Sequence, residues 1–440
     1  MHASNYCCNI NIFCHRFSNK DSASKITLLG NIESMKLLQV NTVVNSGSTG
    51  RIAEGIGEVA MQNGWESYIA FGRNPRPSKS KTIQLCKSWE LYPNVLYTRI
   101  FDKDGAFSKL GTRRLISAID EINPDIIHLH NLHGYYLHVP SLFDYLVKRN
   151  RPVVWTLHDC WIMTGHCCYF FDCRKWEKHC SDCPRKKSYP ASYLFDNSGQ
   201  NHSIKIEFAQ KARNFLHLVP VSDWLRSELE KSHFKDCAST TIRNGIDLNS
   251  FKTPKNLDAI RAKYSLTAPK YAICVANVWG ASKGYADLPK IANLLNKHNV
   301  KLIVVGTSKK QTDELKLHGI IPILRTENVD ELAGLYSLAN VFLNPTNVEA
   351  LGMVNMEAIA CGTPVVTYNT GGSPESIDEN TGAVVKVGDV RGMVNEAIKI
   401  VKRGKAACKD ACLKRAKDNF SKELAFSKYI NLYSEILKNA

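Results

Sequence analysis

Asn347-Val348-Glu349-Ala350-Leu351-Gly352-Met353-Val354-Asn355-Met356-Glu357-Ala358-Ile359-Ala360-Cys361-Gly362-Thr363-Pro364 is the stretch from which the fold of this chain is best read. It follows a strand-like run, Asn340 to Asn344, and has the pattern of a loop opening into a short helix from about Gly352 to Cys361. Gly362 and Pro364 stop the helix, and Val365-Val366-Thr367 begins another strand. A strand, loop, helix, strand unit builds a parallel sheet, and such sheets bind phosphorylated ligands where strand C-termini meet helix N-termini. Glu349 is expected at that rim and Glu357 inside the helix, both facing a bound molecule. Two glutamates on one helix are more often solvated and without a task, so the case depends on the surrounding chain.

Working outward, the same alternation recurs on both sides. Downstream, Asn369-Thr370-Gly371-Gly372-Ser373-Pro374-Glu375 offers Ser373 as a cap and Pro374 as the first residue of a second helix start at the same rim. The pattern from Val390 on is helical, with Ser421 capping a last helix to about Lys438. Upstream, Tyr271 to Asn277 is a strand whose loop delivers Lys283-Gly284 to a helix start, and Val300 to Gly306 is another. The polar segment over residues 251–270 reads as a linker, so residues 271–415 form a second domain and 416–440 a closing helix.

Residues 35–250 carry an equivalent series. A strand from Lys36 leads into the loop Asn45 to Arg51, which contains Gly47, and then a helix to Asn63. Further strands are expected at Trp65 to Phe71, Asp125 to His130, Val153 to Leu157, Leu216 to Val221 and Thr240 to Asp247. Arg73 to Lys81 is a polar, proline-containing loop of mobile character. The fold class is therefore α/β, with two Rossmann-like parallel-sheet domains facing a cleft. Residues 1–34, rich in Asn, Ser and Cys without a period, are expected to be a disordered extension.

His128, His130, His133, His138, His158 and His166 crowd the strand ends of the first domain, and His158, where a strand gives way to a loop, is the candidate for ligand contact. A cysteine-rich insertion follows over residues 160–184. Its Cys180-Ser181-Asp182-Cys183 has the spacing of a zinc knuckle, because thiolates two residues apart can take adjacent tetrahedral corners. Cys167 (or Cys168) and Cys173 supply the other two ligands of a structural zinc site, with free thiols or disulfides as the alternatives.

The formal charge of +16 points to anionic partners: nucleotide phosphates, nucleic acid or an anionic membrane face. No nucleic-acid motif accompanies the scattered Lys and Arg. No apolar run reaches the length of a membrane-spanning helix and no signal peptide opens the chain, so a cytoplasmic protein is expected.

Together these motifs resemble the retaining glycosyltransferases of family 4, which have the GT-B architecture of two Rossmann domains. The similarity runs from about Met35 to the C-terminus. It is carried by Glu349-x7-Glu357 with Ala358-x-Ala360-Cys361-Gly362-x-Pro364, by Asn244-Gly245-Ile246-Asp247, Lys283-Gly284, and Thr370-Gly371-Gly372 with Glu375. His158-Asp159-Cys160-Trp161, Thr164-Gly165-His166 and the cysteines are similar to a capsule and exopolysaccharide subgroup.

That resemblance implies a UDP- or GDP-sugar as co-substrate and no catalytic metal. Glu357 would bind the ribose hydroxyls and Glu349 the transferred sugar. Lys283 would neutralise the diphosphate, with the amides of Gly371 and Gly372, or of Gly352 and Met353, beside it. Gly47 would close the site from the first domain and His158 would touch the sugar. Relatives carry an Arg where Asn277 stands, so Arg51 or Arg243 would have to supply that charge. The implied acceptor is a saccharide, free or linked to polyprenyl diphosphate, with peripheral contact at an anionic membrane. A nucleotide-sugar epimerase of the same fold and a non-catalytic nucleotide- or nucleic-acid-binding protein are the competing readings.

Overall fold

The computed structural model describes residues 34–103 and 108–439. The extension expected over residues 1–34 lies, except for its last residue, outside them. The first lobe holds β1 (Lys36–Val43), β2 (Glu66–Arg73), β3 (Lys81–Gln84), β4 (Ile126–Leu129), β5 (Val153–Leu157), β6 (Leu216–Pro220) and β7 (Ala238–Ser239). They form one parallel sheet in the order β3-β2-β1-β4-β5-β6-β7. The second holds β8 (Lys270–Val275), β9 (Val300–Val305), β10 (Ile321–Ile323), β11 (Val341–Asn344), β12 (Val365–Tyr368) and β13 (Gly382–Val385), ordered β10-β9-β8-β11-β12-β13 and again parallel. Strands β5, β11 and β12 are buried along their whole length, as apolar runs must be in a sheet covered on both faces. The architecture is the expected pair of Rossmann-like domains. In each, the winding reverses between the first and fourth strands, β1/β4 and β8/β11, which leaves a crevice at their C-terminal ends.

The chain returns to the first lobe at its end. Ser421 caps the helix Lys422–Lys438, its hydroxyl accepting from the Leu424 N–H at 3.2 Å. Two backbone hydrogen bonds make the crossing: Ile246 N–H to Phe420 O at 2.8 Å and Lys422 N–H to Ile246 O at 2.9 Å. Gly245 is required there, since a Cβ on it would lie 2.6 Å from the Lys422 Cα. Beyond the crossing, Phe426, Tyr429, Ile430 and Tyr433 join Leu37, Ile52, Ile56, Ile126 and Val154 in one buried cluster. The two tyrosine hydroxyls meet buried polar groups of the sheet: Tyr433 with His128 Nδ1 at 2.7 Å and Tyr429 with Thr156 Oγ1 at 3.0 Å.

Several local expectations are corrected. The first helix starts at Gly47, so Ser48 to Arg51 are helical rather than loop. Thr240 and Ile242 still donate to β6, through Leu218 O and Pro220 O, but β7 has only two residues because the chain at Asn244 turns to meet Ser421. Ser373 begins a 3-10 turn, Ser373–Ser376, and its hydroxyl caps nothing, being held by Thr367 Oγ1 at 2.7 Å and Asn355 Nδ2 at 3.0 Å. The segment 251–270 contains a helix, Leu257–Lys263. The loop after β2 is pinned by the buried carboxylate of Glu54, which accepts from Lys79 N–H at 2.7 Å. The helix Ser88–Phe101 was not expected, and it carries an internal Pro93.

Gly245→Val is expected to destabilise the protein by about 1–3 kcal/mol, the usual range for overpacking against backbone. Gly280→Ala, where a Cβ meets nothing within 4 Å, is expected to change little. Urea-unfolding midpoints of the two variants check this.

Candidate functional site

Three loops converge at the C-terminal ends of β8, β11 and β12. Thr346 Oγ1 donates to Ser282 O at 3.1 Å, Asn347 Nδ2 to Ala281 O at 2.7 Å, and Thr370 Oγ1 to Asn347 O at 2.9 Å. Asn355, fully buried in the helix Met353–Ala360, accepts from Asn344 Nδ2 at 2.8 Å and donates to Ser373 Oγ and Ser376 Oγ. A network in which every polar group is satisfied fixes loop positions to fractions of an ångström. In this frame Lys283, at the end of the turn Ala281–Lys283, donates to Glu349 Oε2 at 2.7 Å. Gly371 lies so close to Glu349 that a Cβ would stand 1.8 Å from its carbonyl oxygen, and its φ of +54° also favours glycine. The neighbouring amide is not available to a ligand, as Gly372 N–H donates to Glu349 O at 3.1 Å. Gly352 precedes the helix and Met353 opens it, so the first-turn amides lie before the helix's own hydrogen bonds.

Glu357 faces the first lobe. It is buried, accepts from the Tyr336 hydroxyl at 3.1 Å, and pairs with Arg51 of the first-lobe helix Gly47–Gln62 at 3.6 Å. Burial raises the Glu357 carboxyl above the usual range, against the opposing pull of Arg51 and the tyrosine. Arg51 and Glu357 line an interlobe cavity of about 190 Å³ with Asn45, Val329 and Met353. Gly47, with φ +63° and nothing within 4 Å of an added Cβ, opens this helix. Asn277 is exposed just past β8. Arg243 is committed elsewhere: its guanidinium binds Asp223 and Glu375, and Glu375 also accepts from the Asp223 and Trp224 N–H groups at 3.0 and 2.8 Å. Of the two arginines expected to replace the missing cation at 277, only Arg51 lines the cavity.

Most of the histidine row is structural. His128 bonds Thr156 and Tyr433, His138 caps the helix Val139–Arg149, and His166 bonds Asp102 and Ser188 O. His130 links Gln39 to His158, its Nδ1 lying 3.0 Å from His158 Nε2. Burial pushes His158 down to about 4 and depresses His128 and His130 too, so all three rings are neutral near pH 7. Beside His158, Asp159 holds His133 Nε2 at 2.8 Å. Burial opposes ionisation of Asp159, but His133 and the Trp161 amide outweigh it and keep the carboxyl low.

Cys167, Cys173, Cys180 and Cys183 all line one small cavity in the insertion, and each is a free thiol. The insertion also reaches the cleft: burial, with Glu349 of the second lobe and Asp159 of the first nearby, pushes the half-buried Tyr169 hydroxyl well up. Tyr169, Tyr336, Asn355 and Glu375 are site residues that the sequence reading did not assign these roles. Only Glu375 had a signal, its place after Gly371-Gly372.

Comparison with known proteins gives matches over both lobes. Residues 51–250 match the family model described as Glycosyltransferase Family 4, and residues 257–417 match Glycosyl transferases group 1. The Escherichia coli K12 protein WcaC, a glycosyl transferase assigned to colanic acid biosynthesis, is 22% identical over 429 residues, covering 91% of this chain and 100% of that one. A glycosyltransferase structure from Rickettsia africae superposes with a TM-score of 0.65 at 17% identity, covering 93% of this chain and all of the other. The Anabaena protein HepE in complex with UDP superposes with a TM-score of 0.62 at 15% identity, over 91% of this chain and 100% of that one.

A histidine whose folded pKa lies below its unfolded value of about 6.5 contributes stability that is present above that value and lost as pH falls through the window. With His158 near 4 and two more rings depressed, stability is expected to fall steadily from pH 6.5 to 4. Urea midpoints across that range test the direction, and a His158 ring resonance titrating near pH 6.5 would contradict it.

Proposed function

We propose that this chain, which belongs to the family 4 glycosyltransferases and has their GT-B fold, transfers a hexose-type sugar from a nucleotide-sugar to a saccharide acceptor, with retention, in surface polysaccharide synthesis. The observation that carries this is the buried carboxylate of Glu357 facing an interlobe cavity across from Arg51. An ionised carboxylate has two acceptor oxygens spaced for vicinal ribose hydroxyls. Glu357 uses one for Tyr336, and its contact with Arg51, at 3.6 Å, is an ion pair longer than a hydrogen bond. Arg51 opposes the rise that burial imposes on the Glu357 carboxyl. HepE, similar in fold, has been seen with UDP, which supports a UDP-sugar donor, with a GDP-sugar as the alternative.

In this scheme Lys283 turns from Glu349 to the diphosphate. Gly371 and the helix start at Gly352 and Met353 add backbone dipoles, so the charge growing on the leaving group meets preorganised positive potential without a catalytic metal. Glu349, released from Lys283, accepts from the sugar hydroxyls, and neutral His158 contacts the sugar from the first lobe. The bond from the anomeric carbon to the phosphate oxygen breaks with its electrons on the diphosphate. That oxygen takes the acceptor hydroxyl's proton, and the new bond forms on the same face. A double displacement needs two carboxyls about 5 Å apart around one carbon. It is disfavoured here because Glu357 is engaged with the ribose.

The acceptor is read as a saccharide on a polyprenyl diphosphate. Supporting this is an exposed apolar face on the first lobe: Trp89, Tyr92 and Leu96 lie along one side of the helix Ser88–Phe101, beside exposed Tyr193, Leu194 and Phe195. The two segments are joined by Tyr193 N–H to Arg99 O at 2.7 Å and Phe195 N–H to Ile100 O at 2.9 Å. Lys87, Arg99, Lys186 and Lys187 flank them. Aromatic rings with basic neighbours suit an anionic bilayer surface. No helix among the described residues is long and apolar enough to cross a membrane.

Glu357→Gln is expected to weaken UDP-sugar binding by about 10–100-fold, the cost of a lost charge-assisted pair, and to abolish the donor's thermal shift. An undiminished shift would refute the ribose role. Lys283→Met is expected to lower kcat about 10²–10³-fold, with added magnesium or manganese unable to restore it. Trp89→Ser/Tyr92→Ser/Leu96→Ser is expected to lose flotation with phosphatidylglycerol vesicles while keeping activity on a water-soluble acceptor.

A further inference from the structure

We infer that the insertion between β5 and β6 binds one structural zinc ion through the thiolates of Cys167, Cys173, Cys180 and Cys183. The inference starts from what the insertion lacks. Between Asp159 and Asn197 the only regular structure is two three-residue 3-10 turns, Trp161–Met163 and Lys175–Glu177. A segment without repeating backbone hydrogen bonds must be held by side chains, a metal or disulfides. Trp176 and Phe170 are its buried anchors, and all four cysteines line the small cavity beside them.

The backbone is arranged around sulfur. Gly165 N–H donates to Cys180 Sγ at 3.3 Å. Amides aimed at sulfur stabilise thiolates and are a usual feature of the shell around metal-bound cysteine. Gly165 has no room for a side chain, since a Cβ would stand 1.9 Å from Ser198 O and 3.0 Å from the Cys180 Cβ. The turn Cys180 to Cys183 is secured by Lys175 Nζ, which donates to Ser181 O at 2.8 Å and Asp182 O at 3.2 Å. Four thiolates on a zinc ion leave two net negative charges, and Lys175 and Arg185 line the same cavity. The sulfurs stand wider than a filled shell, as no three of them lie within 4.8 Å of one another. With zinc–sulfur bonds of about 2.3 Å, binding draws the Cys180–Cys183 turn inward.

Another group, His133, Asp159 and Cys168, does come within 4.8 Å. In that group His133 Nε2 is already paired with Asp159 Oδ2 at 2.8 Å. Zinc would have a positioning role: the insertion carries Tyr169 towards Glu349, and His166 ties it to Asp102 beside the helix Ser88–Phe101.

The test is metal analysis of the full chain purified without chelator, and it does not depend on the transferase assignment. The expected result is one zinc per chain by mass spectrometry. Cys180→Ser/Cys183→Ser should lose it, and Cys237→Ser, at a buried thiol outside the cluster, should keep it. Should the double variant fail to fold, mercurial titration of the wild type decides instead, since zinc release should track modification of four thiols. Wild type without zinc, zinc retained in the folded double variant, or an intact mass about 2 Da low from a Cys167–Cys183 disulfide would each overturn the inference.

Discussion

The two hydrogen bonds between Ile246 and the Phe420–Lys422 segment are the constraint on which the rest of the structure depends. They pass the chain from the second lobe to the first at a point where only glycine, Gly245, leaves enough room. Everything beyond the crossing completes the first lobe, down to the tyrosine hydroxyls that satisfy His128 and Thr156. A second tie lies at the cleft, where Glu375 of the second lobe accepts from two first-turn amides of the helix Asp223–Leu229 and binds Arg243. With both ties in place, the crevices of the two sheets face one another and Arg51 can meet Glu357.

Charge in the cleft is handled by pairing. Glu357 with Arg51 and Glu349 with Lys283 are two acid–base pairs, the first between lobes and the second within one. Each of these two carboxylates therefore has a cation beside it. A buried carboxylate left alone would be protonated rather than ionised. The first-lobe rim follows the opposite course. His128, His130 and His158 are held neutral by burial, so these three rings add no fixed positive charge there.

Much of this was legible in the sequence, for physical reasons. Apolar runs such as Val153–Leu157 and Val365–Tyr368 have the pattern of strands buried on both faces, and Ser421 had the flanking pattern of a cap. Glu349, Glu357 and Lys283 could be placed on their loops and helix because strand ends and helix starts are local features. What local pattern could not show were partners distant in the chain. Thr240 to Asp247 looked like a strand because it opens on the β-branched Thr240, Thr241 and Ile242, but the partner of Ile246, at 421, lies far beyond any window. Ser373 looked like a cap until Asn355 and Thr367 claimed its hydroxyl. The helix Ser88–Phe101 was missed because its apolar face is turned outward and Pro93 interrupts it. The partners that hold the other histidines, such as Tyr433, Gln39 and Asp102, come from elsewhere in the chain and were not visible locally.

The return of the last helix has a consequence for how the molecule is made. The first lobe is synthesised first, yet part of its core, from Phe426 to Tyr433, is translated only after the whole second lobe. Until then Leu37, Ile56 and Ile126 lack their cover, and His128 lacks one of its hydrogen-bond partners. A nascent first lobe is thus an incomplete domain with an apolar groove shaped for one helix. Long-range contacts of this kind slow folding and expose surfaces that chaperones bind. Without the helix Lys422–Lys438 the first lobe stays unfinished.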